Sequence, residues 1–289
     1  MCREPRRRGS LYLMSVGNPL LPIKKNSPKS NNTQGTPPSP PRTLFALCDI
    51  ELIVCRWLEH DPEEIYKSVT NCIESATQKF LDNGNEITSL SGIGITNQRE
   101  TTIVWDSQTG KPLTNALVWP DTRTAAIVAK YKATGREDEI RKITGLPLST
   151  YFSAVKLRWM IDNIPEVRKA LEEGRLAFGT VDSWLLYNLT GGKDEGVHIT
   201  DPTNASRTLL LDIHTLKYSD TCIDFFGMKG VKFPEILSSS EVYGTIKEGV
   251  LKGVKLSGCL GDQSAALVGH RGFDKGSAKN TYGTGYLLR

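Results

Sequence analysis

From Leu44 to Leu288, short strand-like runs alternate with segments of helical periodicity, and this interleaving limits the fold more than any other feature. It predicts an α/β fold, in which helices connecting the strands cover the faces of a sheet. The clearest helix opens at Asp61, a good N-cap, with Pro62 at an allowed first position and Glu64 where a capping box places its acid. Ile65, Val69, Cys72, Ile73, Ala76 and Phe80 then repeat at helical spacing, and Asn83-Gly84 closes the helix. Strands are predicted at 44–48, 90–96, 101–105 and 116–119, with a turn at 107–110. Helices are predicted at 122–133, 153–163, 165–173 and 182–189, the last entered from a short strand at 178–181 and closed by Gly191-Gly192. A strand-like run at 207–211 and a helix near 221–226 follow. A strand at 254–259, a helix at 264–269 and two strands within 278–288 complete the pattern, without any internal repeat.

The first 42 residues differ from the rest. They hold eight of the fifteen prolines, eight basic residues and one acid, Glu4, for a local net charge of +7. The run Pro37-Pro38-Ser39-Pro40-Pro41 forbids helix, and the segment is expected to be a disordered leader. Its basic character leaves a transit peptide open, although no amphipathic helix is evident. Removing that segment from the overall +4 leaves residues 43–289 at −3, which excludes a broad basic face for nucleic acid. Six scattered cysteines without a C-x-x-C pair point to reduced thiols rather than a zinc or disulfide scaffold. The longest apolar stretch, 44–58, is broken by Asp49, Glu51 and Arg56 and is too short to span a membrane.

Three segments carry residues suited to chemistry. Asn97-Gln98-Arg99-Glu100 falls between two strand-like runs, where four large polar residues form either a solvated turn or a pair of groups that grip neighbouring hydroxyls. Gly261-Asp262-Gln263 sits where a strand gives way to a helix, the carboxyl edge at which α/β sheets bind ligands. Asp262 there is either a helix cap or a base that takes a proton from an attacking hydroxyl. In Asn280-Thr281-Tyr282-Gly283-Thr284-Gly285 two glycines let backbone amides approach an anion, though the turn is neither a Walker loop nor a dinucleotide fingerprint. Trp119, Tyr151 and Phe152 are either core aromatics or the apolar wall of a polyol pocket.

Together these stretches are far more specific than any one alone. Trp57-Leu58-Glu59-His60-Asp61-Pro62, Ile95 to Thr102, Ala116-Leu117-Val118-Trp119, Thr144 to Ser153, Phe178 to Leu185, Thr200 to Arg207, Gly261-Asp262-Gln263 and Ala278 to Gly285 resemble the glycerol kinases of the FGGY carbohydrate kinase family, in the family's order. The resemblance implies an actin-like ATPase fold of two ribonuclease-H-like domains. It implies transfer of a phosphoryl group from ATP, with Mg2+, to a terminal hydroxyl of glycerol in the cytoplasm, with mitochondrial association and homo-oligomerisation left open. Carried over by motif, Arg99, Glu100, Trp119, Tyr151, Asp262 and Gln263 contact glycerol, Asp262 is the catalytic base, and Gly283 with Thr284 contacts phosphate.

The chain also departs from the family pattern. The family opens on Asp-x-Gly-Thr, a hairpin that holds nucleotide phosphate and positions magnesium; here Asp49-Ile50-Glu51 has no Gly-Thr after it, and no metal residue is assigned. The expected organisation is a leader at 1–42, an incomplete polyol-binding first domain at 43–255 and only the start of an ATP-binding second domain at 256–289. On that reading sheet edges are exposed and turnover is lost. The alternatives are a non-catalytic glycerol- or partner-binding remnant and a kinase of another small polyol or sugar.

Overall fold

The computed structural model describes residues 12–16, 57–282 and 286–288. The strand expected at 44–48 lies outside the described residues, as does most of the leader. Five leader residues are the exception. Tyr12–Val16, the most strand-prone run of that segment, forms strand β1 instead of the disorder expected for it.

Helix α1, Pro62–Asp82, follows its sequence signals: Asp61 caps it through the amide of Glu63, and Asn83 ends it. The buried stripe is narrower than expected, comprising Pro62, Ile65, Val69, Ile73 and Thr77, with Cys72 and Ala76 exposed. Next come β2 (Ile93–Asn97), β3 (Ile103–Asp106) and β4 (Ala116–Leu117). Helices α2 (Ala125–Lys132), α3 (Glu137–Thr144), α4 (Ser153–Asn163) and α5 (Pro165–Glu172) lead to β5, Leu176–Gly179, and α6, Val181–Leu189. Strand β6, Lys255–Gly261, runs directly into α7, Asp262–Gly269, and β7 (Asn280–Tyr282) pairs antiparallel with β8 (Tyr286–Leu288).

Three elements differ from the sequence expectation. Helix α3 carries no expectation from sequence, yet its first turn is acidic and Gly145 closes it in the left-handed region. Gly191-Gly192 does not simply end α6; a short helix, Gly192–Glu195, starts there. The strand-like run at 207–211 is mostly turn, because Asp201 caps a short helix at Pro202–Ala205 and Leu209 takes φ +65°.

β2 is the centre of the main sheet. β1 and β6 flank it in parallel, and Gly244–Thr245 adds an antiparallel edge to β6. All five β2 residues are buried, the pattern of a strand covered on both faces. β3 pairs antiparallel with β5, and its side chains divide between two cores. Ile103 and Trp105 join the cluster built on α1, α6 and β2, whereas Val104 joins the cluster built on α3, α4 and α5. The strand expected to open a second domain at 256 is β6, which belongs to this first sheet. Its register pairs Gly261 with Asn97, so the ends of β2 and β6 emerge side by side.

Candidate active site

That register brings the two polar segments together at one carboxyl edge of the sheet. Arg99 lies just beyond β2 and is 2% exposed; its Nε is 3.3 Å from Oδ1 of Asp262, the first residue of α7. The Asp262 side chain is 45% exposed, so one face of this pair meets solvent. Arg99 Nη1 has no hydrogen-bond acceptor among the described residues, although it is buried. A buried donor without a partner is costly, so Nη1 is poised to donate to an oxygen brought to this edge. Gly261 makes the approach possible, since a β carbon there would fall 2.6 Å from Cγ of Arg99.

Glu100 is buried beside Arg99 and takes φ +61°, a left-handed conformation that costs energy for a residue with a β carbon. Two hydroxyls hold it there, with Ser153 Oγ and Thr102 Oγ1 donating to its carbonyl at 3.0 and 3.1 Å. Its carboxylate accepts a hydrogen bond from Arg207 Nε at 2.6 Å. Burial pushes the Glu100 carboxyl above its usual range, while the charges of Arg99, Arg207 and Lys156 pull it back. Lys156 is fully buried and donates to the carbonyls of Thr150 and Tyr151. Burial brings its ammonium down to about 7, against the attraction of Glu100 and Asp121.

The aromatic residues meet the same edge. Trp119 and Tyr151 pack edge to face at 5.4 Å, and Phe152 is buried behind Tyr151 at 5.6 Å. The Tyr151 hydroxyl is pushed up to about 12 by burial and then by Glu100, and it also senses Arg207, Arg99 and Asp262. Gln263 donates its backbone N–H to Asp262 Oδ1 at 2.7 Å, and its Oε1 accepts from Thr281 Oγ1 at 2.8 Å. Thr281 in turn bonds to Lys279 Nζ.

Arg99, Glu100, Trp119, Tyr151, Asp262 and Gln263 therefore converge, whereas Gly283 and Thr284 lie outside the described residues. Arg207 and Lys156 are additions that the sequence did not single out. The Asp201-Pro202 pair, a capping residue followed by proline, was the available sign that the chain folds into a tight helix just before Arg207.

Beneath the edge, Asp182, Asp201 and Cys259 lie with ligand atoms within 4.8 Å of one another, all buried. Their donor set does not suit magnesium, which favours oxygen ligands and retains water. Asp201 already accepts from Thr203, Asn204 and Ser239, and Asp182 from Thr180 and Thr200. Burial and then the charge of Asp201 push the Asp182 carboxyl up to about 6, and burial raises the Cys259 thiol further. Elsewhere at this edge, Lys279 and Thr281 place an ammonium and a hydroxyl beside Gln263.

Among known proteins, the FGGY family of carbohydrate kinases, N-terminal domain, matches residues 49–269. Glycerol kinase of Brucella anthropi is 52% identical over 232 residues, which cover 80% of this chain and 46% of that protein. A probable glycerol kinase of Caenorhabditis elegans is 50% identical over 235 residues. In structure, Plasmodium falciparum glycerol kinase with ADP superposes with a TM-score of 0.73 at 40% identity, covering 81% of this chain and 46% of that one. A ligand-bound xylulose kinase from Lactobacillus acidophilus, 22% identical with a TM-score of 0.70, shares the fold. The chain spans about half the length of the curated relatives it matches. The matched profile, the mixed α/β actin-like architecture and these relatives together place the chain in the FGGY family of carbohydrate kinases, within the family's N-terminal domain.

Proposed function

We propose that this protein acts in the ATP-dependent phosphorylation of glycerol at a terminal hydroxyl, and that the described site is where the triol binds. The observation that carries this reading is the buried Arg99, whose Nη1 lacks an acceptor beside the half-open Asp262 carboxylate. Arg99 supplies a donor and Glu100 an acceptor for neighbouring hydroxyls, while Trp119 and Tyr151 offer apolar faces to the carbon chain. Gln263 sits next to Asp262, with its backbone N–H donating to the Asp262 carboxylate and its Oε1 accepting from Thr281.

Asp262 takes the proton of the attacking hydroxyl as its oxygen bonds to the γ-phosphorus and the bond from that phosphorus to the β–γ bridging oxygen breaks. Magnesium-bound ATP, when present, supplies the phosphoryl group with its charge neutralised. Gly283 and Thr284 are proposed as phosphate contacts, with Lys279 and Thr281 contributing donors close by. The unpaired Cys72, Cys222 and Cys259 support a reducing, cytoplasmic setting, and among the described residues no helix is long and apolar enough to cross a membrane.

The test is an NMR titration of the chain with glycerol, xylulose and gluconate, run beside an assay for glycerol phosphate with labelled ATP. Glycerol binding that Arg99→Ala abolishes supports the site. Preferential binding of xylulose or gluconate would move the protein to another substrate within the same family.

A further inference from the structure

Of the two carboxylates in the described site, Glu100 has a setting that is unusual for a hydroxyl acceptor. It is buried, its backbone is strained, and its side chain depends on a residue from a distant turn. We propose that Arg207 is a positioning residue that fixes Glu100 as a hydroxyl acceptor, and thereby sets how strictly the site demands the hydroxyl facing Glu100. This inference rests on the polyol reading above.

Four observations support it. Arg207 Nε donates to Glu100 Oε1 at 2.6 Å, and among the described residues no side chain donates to Oε2. One oxygen is thus held by the protein and the other is left for a ligand. The guanidinium also lies over Phe152 at 4.8 Å and Tyr151 at 5.6 Å, so one side chain orients both the acceptor and an aromatic wall. Arg207 is itself placed rigidly. It follows the short helix capped by Asp201 and precedes Leu209, whose left-handed backbone turns the chain into the core. The Arg207 side chain is 19% exposed and that of Glu100 3%, so little solvent screens their interaction.

The chemistry follows from what Glu100 would be without this partner. Without it, only the charges of Arg99 and Lys156 would oppose burial, and the carboxyl would take up a proton more readily. A neutral carboxyl makes a weaker hydrogen bond than a carboxylate, so it loses less when the facing hydroxyl is absent. A hydrogen bond to a charged group contributes about 1.5–3 kcal/mol, or roughly 10- to 150-fold in affinity. That discrimination is what Arg207 would maintain.

The test compares glycerol, 1,2-propanediol and 1,3-propanediol by NMR titration on the full chain and on Arg207→Gln and Arg207→Lys, with thermal melts alongside. In the parent, at least one diol should bind tenfold or more weakly than glycerol. In Arg207→Gln that penalty should collapse to within about threefold, and Arg207→Lys should restore part of it. Retention of the full penalty in Arg207→Gln overturns the inference, as does equal weakening of all three ligands, which marks a purely structural role. If Arg207→Gln loses its cooperative melt, Arg207→Lys decides: a penalty unchanged from the parent overturns the inference and a reduced one supports it. A parent that binds glycerol but does not discriminate also overturns it. A parent that binds none of the three removes the polyol reading itself, a separate result.

Discussion

Gly261 and Arg99 occupy a space that admits no further atom: a β carbon on Gly261 would come within 2.6 Å of the Arg99 side chain. The atoms it meets belong to the stem of a buried arginine, so they cannot simply swing into solvent. Gly261→Ala should therefore displace the guanidinium from Asp262. Overpacking of this kind costs about 1–3 kcal/mol. The expected outcome is a loss of glycerol affinity of tenfold or more with the chain still folded, checked by titration beside a urea melt.

Asp262 is proposed to move a proton in phosphoryl transfer. Asp262→Asn keeps the shape and the bond from the Gln263 amide but removes the base. Glycerol phosphate formation should fall by about 10²–10⁴-fold, with glycerol affinity changed far less. A comparable loss in both quantities would assign Asp262 to binding.

Thr203 ties the active-site edge to the buried cluster. Its hydroxyl accepts the Gly261 amide at 2.7 Å and donates to Asp201 at 2.7 Å. Thr203→Val keeps the volume and leaves both partners without it. Destabilisation of about 1–3 kcal/mol is expected by urea denaturation, together with weaker glycerol binding as α7 loses its anchor.

Lys156 gives a pH signature of known sign. Burial lowers its ammonium to about 7 in the folded chain, whereas an unfolded lysine remains protonated to about 10.4. Between these values the unfolded chain holds the extra proton, so the Lys156 contribution makes stability rise with pH, by at most about 1.4 kcal/mol per unit. Measured from pH 6 to 10, the stability of the parent relative to Lys156→Met should rise above pH 7. A flat difference would show that the lysine keeps its proton.

The sequence made some of this legible and left the rest hidden, for identifiable reasons. Helix α1 was readable because its signals are local: Asp61 caps it, Pro62 starts it and Asn83-Gly84 ends it. Arg99, Glu100 and Asp262 were visible as polar residues at strand ends. Their meeting was not, because it depends on the pairing of β2 with β6, which no local pattern encodes. The run from Arg207 to Leu211 looked like a strand because Leu209 to Leu211 are apolar. Apolar character reports burial equally well, and here Leu209, Leu210 and Leu211 are buried core residues of which only Leu211 lies in a strand. Lys156 was passed over as a polar position on α4, since sequence alone does not distinguish a solvated lysine from one that braces a loop from within.

The central strand carries a temporal consequence. β2 takes one neighbour, β1, from residues 12–16 and the other, β6, from residues 255–261. A nascent chain emerging from the ribosome exposes Arg99 and Glu100 long before it exposes Asp262. Domains form as units once their long-range pairings are available. Until β6 arrives, one flank of β2 remains an unpaired template for other chains. Chaperone capture or misassembly during synthesis should therefore concentrate in the interval between the emergence of β2 and that of β6.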